Sequence, residues 1–237
     1  MRRALSFLTP FGPSGVPTQA TLGWFPVVGA LVGCAVGGAW WLAGRAWPPL
    51  VAAVVAVACD VVVTGGLHLD GLADAADGLL PPLPAERRLE AMADPAVGAF
   101  GVCTLVVVLL LRTAAFSSVP ATVLVVGGVW CASRTAMALT ARLGTYVRPG
   151  GLAAAFVGED DRPGPWIGAV VGAGLALGLA AAGRGWHGLW SVAATAVVFG
   201  AVVVFARRRI GGFTGDVLGA AGVVGETAGL LVLVAKW

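Results

Sequence analysis

Charge is what this chain has least of. Of 237 residues only 12 are Asp or Glu, 15 are Lys or Arg and two are His, so 11% are charged against 58% hydrophobic. A soluble domain is typically about a quarter charged, so a soluble globular fold is excluded. Cysteine is sparse and unpaired: Cys34, Cys59, Cys103 and Cys131 lie inside apolar segments with no CxxC spacing. That excludes a disulfide framework or a zinc site as the organising device and leaves the thiols as small apolar residues. The apolar runs lack the ten-residue alternation of an outer-membrane barrel. The start, MRRALSFLTPFGPSG, has two arginines, but Pro10 and Pro13 break its short apolar run. It is a poor cleavable signal, and the mature chain is expected to begin here.

What is present is long runs of Gly, Ala, Val and Leu, the composition of helices packed closely in lipid. About 20 apolar residues cross a bilayer core. Seven stretches qualify: about 22–44, 47–66, 96–116, 119–143, 165–183, 186–206 and 213–235. The expected fold is all-α, a polytopic membrane helical bundle forming one domain over 1–237, with amphipathic or re-entrant helices at 67–95 between helices 2 and 3. With the amino terminus inside, Arg2, Arg3, Arg87, Arg88, Arg142, Arg148, Arg162, Arg207, Arg208 and Arg209 fall on the cytoplasmic side. Arg45, Arg112, Arg184 and Lys236 fall outside, a positive-inside bias. The loop acids Asp70, Asp74, Asp77, Glu86, Glu90, Asp94, Glu159, Asp160 and Asp161 gather on that same inner side, and none falls outside.

The segment GGLHLDGLADAADGLL, residues 65–80, puts three aspartates within eight positions. On a helix, Asp70, Asp74 and Asp77 project within an arc of about 60°, with Leu69, Leu72, Ala76, Leu79 and Leu80 on the other side. Like charges on one stripe repel, so a cation should offset them. Glu86, Glu90 and Asp94 repeat the device four apart before Pro95. Hard oxygen donors without His or Cys pairing suit Mg²⁺, with Mn²⁺ as an alternative. The bland reading is the solvated face of an interfacial helix, but such faces favour Lys and Arg, and 67–80 has neither. Divalent metals at a cytoplasmic membrane face commonly handle phosphate.

Other polar positions fit that use. In TYVRPGG, residues 145–151, Arg148 beside a Pro-Gly-Gly turn can hold an anion, or simply obey the positive-inside rule. RRRIGGFTGDVLGA, residues 207–220, joins three arginines to Asp216 at the start of a span. Asp60, Arg134, Asp216 and Glu226 are ionisable residues inside spans and so functional candidates; Arg134 could instead pair with Asp60 or Glu226 to hold the bundle together. His68 adjoins the acidic stripe but projects away from it, which suits substrate hydrogen bonding or local structure better than metal ligation.

These residues resemble the cobalamin synthase family, the adenosylcobinamide-GDP ribazoletransferases. The resemblance rests on TGGLHLDGLADAADG at 64–78, RLEAMAD at 88–94 followed by Gly98, Tyr146, Arg148, the Gly151-Leu152 pair and GGFTGDVLGA at 211–220. Less specific agreement, from SFLTPF and WFPVVGALVG onward, covers essentially the whole chain. It implies a Mg²⁺-dependent transferase of the inner membrane at the last assembly step of cobalamin. There a ribose hydroxyl of α-ribazole, or of its 5′-phosphate, attacks the cobinamide-side phosphorus of adenosylcobinamide-GDP and GMP leaves. The chemistry is similar to that of the CDP-alcohol phosphotransferases, whose opening aspartates DAADG echoes. On this basis the metal shell is expected to be Asp70, Asp74, Asp77, Glu90 and Asp94. The proton acceptor is expected to be Asp94 or Asp70, and the substrate contacts Arg148, Arg208, Arg209, His68 and Asp216. The expected partners are those two substrates and the lipid bilayer, with no nucleic acid; a homo-oligomer or association with other cobalamin-assembly enzymes is a further option. The competing class is a transporter, which would place its charges near the midplane in repeated halves. Here polar residues concentrate at one face and no repeat is evident.

Overall fold

The computed structural model describes residues 1–12, 17–148, 151–156 and 163–236. Glu159, Asp160, Asp161 and Arg162, and the Pro149-Gly150 turn, lie outside the described residues. Among the described residues ten α-helices follow one another: α1 Arg2–Leu8, α2 Gln19–Leu22, α3 Phe25–Ala43, α4 Pro49–Thr64, α5 Leu67–Leu79, α6 Ala85–Ala93, α7 Ala99–Ser118, α8 Val123–Leu143, α9 Gly164–Ile210 and α10 Gly215–Val234. A 3-10 turn, Leu152–Phe156, precedes α9. Among the described residues the only β pairing is an isolated bridge between Tyr146 and Phe213.

The helices form because the chain is apolar without being branched at every position, and because lipid requires each backbone group to be bonded within its own segment. By length and apolarity α3, α7, α8, α9 and α10 qualify as membrane crossings, and the pair α4 and α5 passes together although bent by 91°. That is up to six against an expected seven, and the difference lies in α9. Its 47 residues are interrupted at Arg184 and Gly185, whose backbone is non-helical. A Cβ at Gly188 would run into the Ala180 carbonyl, so the chain folds back there and the two limbs lie side by side. The sequence break between 183 and 186 is thus a hairpin, counted once by length.

α8 is the centre of the bundle, packing most extensively on α9 and α3, while α10 packs on α9 and α5. The other bend is made by Gly65 and Gly66, both in the left-handed region at φ 61° and 72°, where a side chain would be strained. They turn α5 off the end of α4, so α5 runs across the bundle instead of along it. It is not a solvated interfacial helix, the alternative weighed against a metal site: α10, α7 and α6 cover it, and His68, Leu72, Ala73, Ala75, Ala76 and Leu79 are buried.

Deep in the bundle sits a closed set of charges. Arg112 donates to Asp60 Oδ2 at 2.6 Å and to Glu226 Oε2 at 2.6 Å. Arg134 pairs with the other Glu226 oxygen. The indole of Trp130 donates to Asp60 Oδ1 at 3.0 Å, and Arg112 also reaches the Thr227 hydroxyl and the Val223 carbonyl. Two guanidiniums therefore face two carboxylates, almost fully out of contact with solvent. This corrects the placement of Arg112: it is 2% exposed inside the bundle, not at the outer surface. The pairing of Arg134 with Glu226 is one of the two that the sequence allowed; Asp60 goes to Arg112.

Candidate active site

Helix α5 carries the acidic motif, and its neighbours fix where the acids go. At its carboxyl end Arg88 donates to the Gly78 and Leu79 carbonyls at 2.9 and 2.8 Å, and Arg209 to Leu79 at 3.2 Å. Two cations thereby offset the negative end of the helix dipole. At Gly71 the α10 backbone comes so close that a Cβ would lie 3.0 Å from the Asp216 Cα. That bare position brings Asp70 and Asp74 on α5 beside Asp216 on α10.

Arg148 is positioned by the chain segment after α8. The Phe213 N–H donates to the Thr145 carbonyl at 2.9 Å and the Val147 N–H to the Phe213 carbonyl at 3.1 Å. This short pairing lays Arg148 over the start of α10, where its guanidinium donates to Asp216 Oδ2 at 2.7 Å. The Thr214 hydroxyl caps α10, accepting from the Val217 N–H at 3.2 Å. Asp70, Asp74, Asp216, Arg148, His68 and Tyr146 then line one cavity of about 530 Å³, together with apolar residues of α1, α3 and α8. Burial, then the charges of Asp70 and Asp216, push the Asp74 carboxyl up to about 6, with Arg148 opposing them. His68 is buried in the cavity wall, its Nδ1 3.5 Å from an Arg134 nitrogen, so the cavity touches the buried charge set at this one ring.

The other expected site residues are elsewhere. Asp77 shares the stripe but turns to α7: its two oxygens accept from the Gly98 N–H at 2.7 Å and the Gly101 N–H at 2.9 Å, capping that helix. Glu90 makes an exposed pair with Arg87 at 2.8 Å. Asp94 ends α6 and accepts from the Ala96 N–H at 2.9 Å, exposed. Glu86 and Arg208 are exposed, and Arg209 is engaged with the end of α5 and the Phe205 ring. The five-carboxylate shell is thus not assembled. Asp70 and Asp74 reach the cavity, joined by Asp216, while Asp77, Glu90 and Asp94 do not line it.

Residues 1–234 match the family described as cobalamin-5-phosphate synthase. The chain belongs to that family. Proteins named adenosylcobinamide-GDP ribazoletransferase from Brucella ovis, Brucella suis and Brucella abortus are each 36% identical over 222 residues, covering 89% of this chain and 84% of theirs. No solved structure matches the chain. In this family member Tyr146, the single tyrosine, is a cavity residue that the resemblance touched but no chemical argument singled out. Its rarity was the available signal. Phe7, Phe25 and Phe156 also line the cavity from three distant segments, a gathering that has no local sequence signature.

The donor set can be tested for a divalent cation. Among the described residues no three His, Cys, Asp or Glu side chains are gathered into a ready cage. Mg²⁺ seldom uses one: it keeps waters and takes one or two carboxylates plus substrate phosphate oxygens. Three carboxylates lining one cavity with, among the described residues, one guanidinium leave negative charge in excess, and one or two of them fit such a partial shell.

Proposed function

We propose that this protein catalyses the last step of adenosylcobalamin assembly. It transfers the adenosylcobinamide-phosphate part of adenosylcobinamide-GDP to α-ribazole or its 5′-phosphate and releases GMP. The observation that carries this reading is the meeting of Asp70, Asp74, Asp216 and Arg148 in one cavity of a chain belonging to this family.

In the transfer a ribose hydroxyl oxygen forms a bond to the cobinamide-side phosphorus. The bond from that phosphorus to the bridging oxygen breaks, and GMP leaves with the electron pair. Asp74, the middle carboxylate, and Asp216 would hold a divalent cation. Bound there, Mg²⁺ or Mn²⁺ would neutralise charge on the phosphoryl oxygens during an in-line displacement. Arg148 presents a planar fork of donors suited to phosphate, and Asp216 orients it through their 2.7 Å contact. Asp70, the most exposed of the three, accepts the hydroxyl proton and returns it to water. Arg2, Arg3 and Arg207 to Arg209 support placing the amino terminus and the cavity on the cytoplasmic side of the inner membrane.

Purified protein in detergent, given adenosylcobinamide-GDP, α-ribazole and Mg²⁺, is expected to release GMP and to stop when EDTA is added. Absence of GMP under those conditions, or release that EDTA leaves untouched, would contradict the reading.

A further inference from the structure

The cavity lining has two chemically different parts. One is the polar group just described. The other is aromatic: Phe7 of α1, partly exposed, backed by Phe25 at the start of α3 and Phe156 at the end of the 3-10 turn, which are 3% and 2% exposed. Phe7 stacks on Phe25 with centroids 5.8 Å apart and 20° between planes, and both meet Phe156 edge to face at 4.9 and 5.4 Å. Leu8, Met137, Ala141 and Ala153 extend that part of the lining. Their side chains offer no hydrogen-bond donor. Phe7 belongs to a seven-residue helix, too short to be stable by itself, that is held in place by these apolar contacts. The Tyr146 hydroxyl is buried at the same cavity and has no hydrogen-bond partner among the described residues. A buried, unpaired hydroxyl is costly unless a ligand or water completes it.

Building on the proposed transfer, we infer that Phe7, backed by the buried rings of Phe25 and Phe156, seats the planar base of the α-ribazole acceptor. Two flat bases take part in the reaction, and the lining decides between them. Guanine carries exocyclic donors and acceptors that a binding site must pair, and an unpaired polar edge against phenyl rings is penalised. The dimethylbenzimidazole of ribazole has two methyl groups on its rim and no exocyclic polar group, so phenyl rings suit its faces and edges. Size agrees: about 530 Å³ is of the order needed for a nucleoside with phosphate groups, and a corrin ring with its amide arms would be too large for it. With the base on the phenyl rings, the ribose extends toward Tyr146 and the carboxylates, where its hydroxyl reacts.

The test varies the two substrates separately in the GMP-release assay, using wild type, Phe7→Ala and Phe7→Leu. Phe7→Ala should raise KM for α-ribazole about tenfold, the scale of losing one base-stacking contact, and leave KM for adenosylcobinamide-GDP within about twofold. Phe7→Leu, which keeps an apolar contact, should fall between the two. An unchanged donor KM also reports that the fold survives. A donor KM that rises as much as the acceptor KM, or no change in either, overturns the inference. Calorimetric titration of α-ribazole alone separates this idea from the reaction itself. Binding that Phe7→Ala weakens, in protein that releases no GMP, would keep the subsite and discard the transferase reading.

Discussion

Two groups of charges lie next to each other in this bundle and differ in balance. In the interior, Arg112 and Arg134 face Asp60 and Glu226, and every pairing is closed by short contacts and buried. In the cavity, among the described residues, Asp70, Asp74 and Asp216 meet one guanidinium, Arg148, which pairs with Asp216, and solvent reaches them. A balanced, dry set holds helices together, since burying a charge is tolerable only when it is paired. An unbalanced, partly wet set leaves negative charge in excess, which is what the proposed divalent cation would offset.

The sharpest way to break this comparison is to remove one charge from each side. Arg112→Met leaves Asp60 without its guanidinium and Glu226 with only Arg134, and should cost about 3–5 kcal/mol of stability, read as loss of folded protein in thermal unfolding in detergent. Asp74→Asn should lower GMP release by about 10²- to 10³-fold, the scale of losing an electrostatic contact to the transition state, while thermal stability without added metal stays equal or rises. If Asp74→Asn unfolded the protein and Arg112→Met only slowed it, the assignment of the two groups would be reversed.

Proton linkage sharpens the same contrast. The Asp74 carboxyl is about 6 in the folded protein, above the usual value of about 3.9. Between those values the folded state holds a proton that the unfolded state has released, so stability should fall as pH rises from about 4 through 6. Mg²⁺ should restore it at pH 7.5 and have little effect at pH 5, measured as unfolding temperature with and without the ion. A smaller effect separates the stripe itself: Asp77→Ala removes the α7 cap and should cost about 1 kcal/mol with the Mg²⁺ dependence of turnover intact. The smallest belongs to Glu90→Gln, an exposed pair worth about 0–1 kcal/mol, with no change in turnover.

The sequence made the broad architecture legible because lipid imposes long apolar helices and spares few charges. It made Asp70 and Asp74 legible because a four-residue spacing returns to one face. It could not separate Asp77 from them, since that depends on the α7 amino terminus docking 21 residues further on. Arg112 was misplaced because it lies near the end of its apolar run, where an arginine ordinarily reaches water. Glu90 and Asp94 copied the right spacing on α6, a helix whose acidic side faces solvent. Asp216 was visible as an acid opening a span, yet its approach to α5 depends on Gly71, a glycine with no special mark among 36. The aromatic wall draws on positions 7, 25 and 156, which only the folded chain unites.

The central claim is that the cavity carboxylates, and not the whole inventory of acids in 67–95, hold the divalent ion. Mn²⁺ titration followed by electron paramagnetic resonance tests it on purified protein in detergent. Binding should vanish in Asp74→Asn and persist in the double variant Glu90→Gln with Asp94→Asn. Persistence in Asp74→Asn with loss in the double variant would contradict the account.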